Sequence, residues 1–235
     1  MQRLDKFLSS STTLSRSEVL KALMQSRIIV NGVKPLKKDQ RIDENNDVVV
    51  LDGNVVEYKK YIYLMLNKPQ GVVSATSDKN QKTVLDLVGT EYKKYKLFPC
   101  GRLDKDTTGL VILTNDGVNA HRLLSPKNHV KKVYEFKCIE ELSNKDVLNI
   151  QNGVKLKDEY ITKHSSVSLT SKTSGFITLT EGKYHEIKRI FGALHNKITY
   201  LKRVSFGDIK LDVGLNDGEY RELTKKEIMF FTNQK

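Results

Sequence analysis

The chain has 235 residues, and 40 Lys and Arg against 28 Asp and Glu give it a net charge of +12. Hydrophobic residues at 38% and charged residues at 29% suit a soluble globular protein, and the longest apolar run, residues 61–66, is far too short to span a bilayer. Asp5 and the lack of an apolar core over residues 1–6 argue against a signal peptide. Cys100 and Cys138 make neither a disulfide framework nor a zinc spacing, so a reducing cytoplasm is the expected compartment. The cationic excess points to a polyanionic partner. Nucleic acid is favoured over membrane because no long amphipathic basic helix is present.

Residues 1–57 read as a separate small module. A first short helix covers 3–10. Ser15 caps a second, with Glu18 completing a capping box and Val19, Leu20, Leu23 and Met24 as its apolar stripe. A strand at 28–30, a turn at Asn31-Gly32 and a β-branched strand at 47–51 follow. Residues 1–41 hold nine basic residues against three acids, whereas 42–60 hold two against five. Basic residues on and after the helical pair, Arg3, Lys6, Arg16 and Arg27 among them, are therefore expected to meet phosphates.

A linker is expected at 58–61 and a second domain over 61–235. The pattern predicts a strand at 62–67, helices near 83–88 and 118–124, and strands at 110–114 and 133–139. A helix opened by Ser143, a strand at 176–180, a helix from about His185 and strands through 200–211 follow. Thr224 and Glu227 box a last helix. Short strands beside turns, mixed with a few helices, predict an α+β fold with a largely antiparallel sheet.

Three segments carry chemistry. Residues 101–117 read Gly-Arg-Leu-Asp-Lys-Asp-Thr-Thr-Gly followed by an apolar strand and Asn115-Asp116-Gly117. Isolated, these are ordinary turn residues. Lys132-Val133-Tyr134-Glu135-Phe136 alternates as a two-faced strand. Residues 181–191 place Ile187, Ile190, Phe191 and Leu194 on one helical stripe, with Lys188 and Arg189 beside it. Upstream, Leu66-Asn67-Lys68-Pro69-Gln70-Gly71 ends in a rigid turn. Lys68 reads either as a phosphate contact or as a surface charge.

Together these segments resemble the motifs of the pseudouridine synthases. The start, Arg-Leu-Asp-Lys-Phe-Leu, and the later Ile-Val-Asn-Gly resemble an RNA-binding module first described in a small-subunit ribosomal protein. The resemblance implies that module followed by a mixed, largely antiparallel catalytic sheet with flanking helices and a cleft across its middle. It makes Asp104 the catalytic carboxylate, kept ionised by an opposite charge. Lys188 is its implied partner, with Arg189 as the fallback, since a Lys is a point charge rather than a bidentate fork. Tyr134 is implied to lie against the target uracil, where stacking is worth roughly 1–3 kcal/mol. Arg102 is expected to hold phosphates or fill the stack left by a flipped base. Ile187, at the head of the helical stripe, is grouped with the substrate contacts. His185 either binds RNA or begins the helix, and the five His show no metal-ligand spacing.

Glu-Gly-Lys-Tyr-His-Glu-Ile-Lys-Arg at 181–189 and Gly-Glu-Tyr-Arg-Glu-Leu-Thr at 218–224 are most similar to the small-ribosomal-subunit branch of that family. That branch implies conversion of one uridine of 16S ribosomal RNA, position 516 in the usual numbering of that RNA. The alternatives are an enzyme of the same chemistry acting on 23S ribosomal or transfer RNA, and a non-catalytic RNA-binding or assembly protein. The expected partner is small-subunit ribosomal RNA or its assembly intermediate. No cofactor, metal or membrane is expected, and the chain is expected to act as a monomer.

Overall fold

The structure, a computed structural model, describes residues 1–233. The chain divides into two compact units: residues 1–62 with 89–96, and residues 63–88 with 97–235.

In the first unit, β1 (Gln2–Arg3) leads into α1 (Leu4–Ser11) and α2 (Arg16–Met24), followed by β2 (Ile28–Val30), β3 (Arg41–Ile42), β4 (Val49–Leu51) and β5 (Asn54–Val55). The Ser15–Glu18 capping box starts α2 as the sequence predicts. Its buried face differs from the predicted stripe. Val19 and Ala22 point inward, whereas Leu20 and Met24 are exposed. The core lies between α1, α2 and the short strands, so a residue one step, or about 100°, along the helix turns to solvent. Asn31-Gly32 closes a tight turn on a single bridge between Val30 and Val33, and β2 then pairs with β4. Both turn residues have positive φ, 50° and 78°, which Asn and Gly tolerate. Leu4, Phe7, Leu8, Val19, Ile28, Ile42 and Val49 form this unit's core, with Tyr58 stacked on Phe7 at 5.5 Å. A short 3₁₀ segment, Thr90–Tyr95, belongs to the unit through the ammonium of Lys94, which donates to the Ser11 carbonyl (2.7 Å). Of the basic residues expected to meet RNA, Lys6 and Arg16 are exposed, while Arg3 and Arg27 are bidentate on Asp5 and Asp52.

The second unit runs β6 (Tyr63–Lys68), β7 (Phe98–Cys100), β8 (Thr108–Thr114), α3 (Gly117–Leu124), β9 (Lys132–Cys138), α4 (Asn144–Asn152), β10 (Ser166–Ser171), β11 (Ser174–Leu179), α5 (Glu186–Ala193), β12 (Ile198–Phe206), β13 (Ile209–Lys210), β14 (Tyr220–Glu222) and α6 (Lys225–Asn233). These strands make one nine-stranded sheet in the order β10-β11-β9-β12-β8-β6-β14, with β13 on β12 and β7 on β8. Among the described strand pairs only β8–β12 is parallel, so the fold is α+β with a mixed, largely antiparallel sheet. β6 and β8 are buried on both faces, as a central position requires. Tyr63, Met65, Ile112, Leu123 and Phe231 are among the residues packed on the side that α3 and α6 cover. On α5, Phe191 meets Phe136 of β9 edge-on at 5.0 Å.

The helix expected near 83–88 is instead one 3₁₀ turn, Val84–Leu87, capped by Thr83 and Asp86. Four residues close a single turn there, and Gly89 follows. Asn115-Asp116-Gly117 turns out to be a helix start. Asp116 caps α3 through Asn119 N and accepts from the Tyr63 hydroxyl (2.6 Å). Among the described residues no helix is long and apolar enough to cross a membrane.

Phe7 is 1% exposed, so Phe7→Ala should destabilise the first unit by about 3–5 kcal/mol. In native-state hydrogen exchange, amides of residues 1–62 should lose protection while those of β8 keep theirs. Equal loss in β8 would show that the two units unfold as one.

Candidate active site

The site is built on the loop between β7 and β8. Gly101 leaves β7 with φ +83°, and the chain tucks Leu103 inward, 6% exposed. The Ser74 hydroxyl donates to the Leu103 carbonyl (3.0 Å) and accepts from its N–H (3.1 Å). Thr107 N–H donates to the Asp104 carbonyl (3.1 Å), and Gly71 N–H to the Lys105 carbonyl (2.8 Å). These bonds fix the backbone on either side of Asp104.

Lys68 completes the clamp. It is fully buried, and its ammonium donates to the carbonyls of Thr107 (2.8 Å), Pro69 (3.1 Å) and Lys105 (3.3 Å). This corrects both expectations for Lys68: with 0% exposure it is neither a phosphate contact nor a surface charge. Burial pushes its pKa down to about 8, against the pull of Asp106 and Asp104.

β8 then begins at close quarters with β12. At Gly109, φ +97°, a Cβ would lie 2.3 Å from the Arg203 carbonyl oxygen, so only glycine fits. Arg203 is itself 2% exposed and donates through Nε to the Leu110 carbonyl (2.7 Å).

Asp104 faces the start of α5. Its Oδ2 lies 2.9 Å from Lys188 Nζ, and its Oδ1 lies 3.5 Å from His185 Nε2. Lys188 also reaches Asp106 Oδ1 at 2.5 Å. Burial lowers the Lys188 pKa, but its hydrogen bonds to Asp106 and Asp104 outweigh that, and the net shift is upward. Burial likewise raises Asp106, and Lys188 brings it below the ordinary carboxylate value. His185 opens α5 in the left-handed region, φ 49°, with the Tyr184 ring stacked on it at 3.8 Å.

Tyr134 of β9 is buried, with Ile187 and Leu103 beside it on the wall of a cleft that also holds Asp104, Lys188 and the exposed Arg102. The structure thus brings together Asp104, Tyr134, Lys188, Ile187 and Arg102. Arg189 stays apart: its Nη2 lies 2.5 Å from Asp158 and its Nη1 reaches the Tyr184 carbonyl, so it is no substitute for Lys188. Arg3, Lys6, Arg16 and Arg27 belong to the first unit.

Sequence reasoning missed four groups. Asp106 is the second partner of Lys188, and only its position two residues past Asp104 marked it. Glu181 and Glu186 form a buried carboxyl pair on the cleft, 5% and 4% exposed. Burial pushes Glu186 up to about 8, helped by its neighbour Glu181. Burial also pushes Lys132 of β9 down to about 8, assisted by Arg203. Among the described residues no group of three or more His, Cys, Asp or Glu is placed to hold a metal ion.

Residues 62–193 match the family described as RNA pseudouridylate synthase. The chain is 45% identical over 231 residues to an uncharacterized RNA pseudouridine synthase, YtzG, of Bacillus subtilis, covering 96% of each. It is 37% identical over 228 residues to ribosomal small subunit pseudouridine synthase A of Escherichia coli K12, covering 96% of this chain and 98% of that one. A crystal structure of a pseudouridylate synthase superposes with a TM-score of 0.70 at 35% identity, over 99% of this chain and all of the other. The chain belongs to the RNA pseudouridylate synthase family, in the branch that includes the ribosomal small subunit pseudouridine synthase A proteins.

Lys68→Met should reduce activity by about ten- to a hundredfold, because the loop that carries Asp104 loses its buried tie. It should also change the pH dependence of stability. With a folded pKa of about 8, below the ordinary lysine value of 10.5, the folded protein holds fewer protons on Lys68 than the unfolded chain between those pH values. Stability therefore gains from this group as pH rises through that window. Thermal unfolding of Lys68→Met should show a smaller gain there, Lys132 supplying the remainder. An unchanged profile would mean that the Lys68 pKa is not depressed.

Proposed function

We propose that this protein isomerises a uridine of small-subunit ribosomal RNA to pseudouridine, the target being position 516 of 16S RNA, with Asp104 as the reacting carboxylate. The observation that carries the reading is the Asp104–Lys188 ion pair on a cleft walled by Tyr134. The relatives named for small-subunit pseudouridine synthesis support the RNA class.

The reaction breaks the bond from uracil N1 to the sugar, turns the base and joins C5 to the same sugar carbon, after which C5 gives up its proton and N1 gains one. The product is an isomer, so atoms and electrons balance without a redox partner. An ionised carboxylate serves each route that opens this sequence: attack on the sugar, attack on the ring, or removal of a sugar proton. The Lys188 ammonium, 2.9 Å from Oδ2, aims the Asp104 carboxylate into the cleft. Tyr134 and Ile187 give the detached base an apolar wall, and the Tyr134 ring offers a stacking face. Stacking matters because the base must stay in place while its bond to the sugar is broken. Arg102, exposed at the rim, holds the strand open beside the flipped nucleotide. In the first unit Lys6 and Arg16 present their charge to RNA, and Arg3 and Arg27 do so only by leaving Asp5 and Asp52.

Asp104→Asn should abolish isomerisation while leaving RNA affinity within a few-fold, because many cations share the phosphate contacts. Tritium release from 5-tritiated uridine in 16S transcripts measures it, and residual activity above roughly a hundredth of wild type would reject the catalytic role. Mapping pseudouridine in total RNA from cells with and without the protein tests the target. A site lost from 23S or transfer RNA instead would reject the small-subunit assignment.

A further inference from the structure

The cleft contains a pair of carboxyl groups that the assignment above leaves unused. Glu181 follows β11 and Glu186 opens α5. Both are buried on the wall of the same cleft, and each shifts the other's protonation. Glu181 is well supplied with donors. Its Oε2 accepts from the Tyr160 hydroxyl (2.7 Å) and its Oε1 from Lys163 N–H (3.0 Å). Glu186 is not. Its Oε2 accepts from Lys183 N–H (2.8 Å), but its Oε1 is buried with no partner.

Two carboxylates in contact in a dry site do not both stay ionised. The charged and titratable neighbours decide which one takes the proton. Tyr160 and the Lys163 charge act on Glu181 and favour its ionised form. Lys132 on β9 is the cation that acts on Glu186, but its ammonium donates to the Val130 carbonyl (3.1 Å). Arg203 on β12 sends its Nε to the Leu110 carbonyl. Neither cation is hydrogen-bonded to Glu186. The orphaned Oε1 is the buried oxygen of the pair that lacks a donor, so it is the atom on which a proton would remove an unsatisfied group.

We propose that Glu186 is a positioning residue that works as a neutral carboxylic acid, its Oε1–H donating to Glu181 and tying the start of α5 to the end of β11. The proposal rests on the assignment of Asp104 and Lys188 to the chemistry. Ile187 and Lys188 are the next two residues of α5, so whatever fixes Glu186 also fixes the cation against Asp104. Loss of the proton replaces a hydrogen bond with repulsion between two buried charges. The start of α5 then moves off β11, and Lys188 moves with it.

The test is the pH–rate profile of tritium release under single-turnover conditions for wild type, Glu186→Gln and Glu186→Ala. The wild-type rate should fall above about pH 8, tending to tenfold per pH unit for one proton lost. Glu186→Ala should lose at least about tenfold at neutral pH. Glu186→Gln should restore most of that loss, since its amide donates to Glu181 at every pH, and should lack the fall above pH 8. An alkaline fall that persists unchanged in Glu186→Gln would belong to Lys68 or Lys132 and would overturn the proposal. Infrared difference spectra give a second, activity-free reading. A protonated-carboxyl carbonyl band at neutral pH should be present in wild type and absent from Glu186→Gln. Absence of that band in wild type would overturn the proposal, whatever the rates. A wild type that releases no tritium at any pH would overturn the functional reading instead, and the infrared titration would then decide the state of Glu186.

Discussion

One ammonium group ties the Asp104 cleft together. Lys188 bridges two carboxylates of the β7–β8 loop, Asp104 at 2.9 Å and Asp106 at 2.5 Å, from the first turn of α5. The two acids are not equivalent. Asp106 is 60% exposed and Asp104 28%, so water and salt screen the outer pair more than the inner one. The outer aspartate supplies extra negative potential that keeps the lysine charged. The inner one is where that charge has directional consequence. A lysine has no fixed donor fork, so the bridge holds its geometry only if the loop and the helix are each held independently.

The fold meets that condition with buried polar groups rather than with apolar packing alone. On the loop side, the Lys68 ammonium gathers three carbonyls and the Ser74 hydroxyl grips Leu103 from both directions. A buried cation is costly unless its donors are satisfied, and carbonyl oxygens supply partial negative charge without adding a competing carboxylate next to Asp104. On the sheet side, the parallel approach of β8 and β12 needs Gly109, and Arg203 stitches the two strands at Leu110. On the helix side, Ile187, Ile190 and Phe191 seat α5 on the sheet, and its first residue, Glu186, lies beside Glu181.

The parts of this arrangement that were legible in the sequence are those written in local spacing. The Asp104 loop, the Tyr134 strand and the α5 stripe each announce themselves over a few consecutive residues, and their pairing follows from the family resemblance. β10 was illegible because it is an edge strand with mostly exposed side chains, so its alternation carries no apolar contrast. β7 is three residues long and includes Pro99. The outward placement of Leu20 and Met24 was illegible for another reason: a helical stripe gives a period, and the position of the core around the helix is a tertiary fact. Lys68 illustrates the sharpest limit. Nothing in its composition or spacing separates a lysine that meets solvent from one that gathers backbone carbonyls, because the acceptors come from residues up to 39 positions away.

That limit bears on how the net charge of +12 is read. A basic composition pointed to a polyanion, yet several cations around the Asp104 loop and the neighbouring strands are closed off from any RNA phosphate. Lys68, Lys132 and Arg203 are nearly or wholly inaccessible, at 0%, 7% and 2% exposure. Arg3, Arg27 and Arg189 are engaged by Asp5, Asp52 and Asp158, and Arg221 by Asp212 and Glu227. Buried cations shape the backbone and the potential of the cleft from within, and they add no contact from which condensed counterions are released. Under the proposed function, the salt dependence of RNA binding is set by exposed residues such as Lys6, Arg16 and Arg102, and it is smaller than a count of basic residues implies. The structure holds two sets of cations, one open to solvent and one turned to the protein's own carbonyls and carboxylates, and the proposed function assigns most of the RNA affinity to the first.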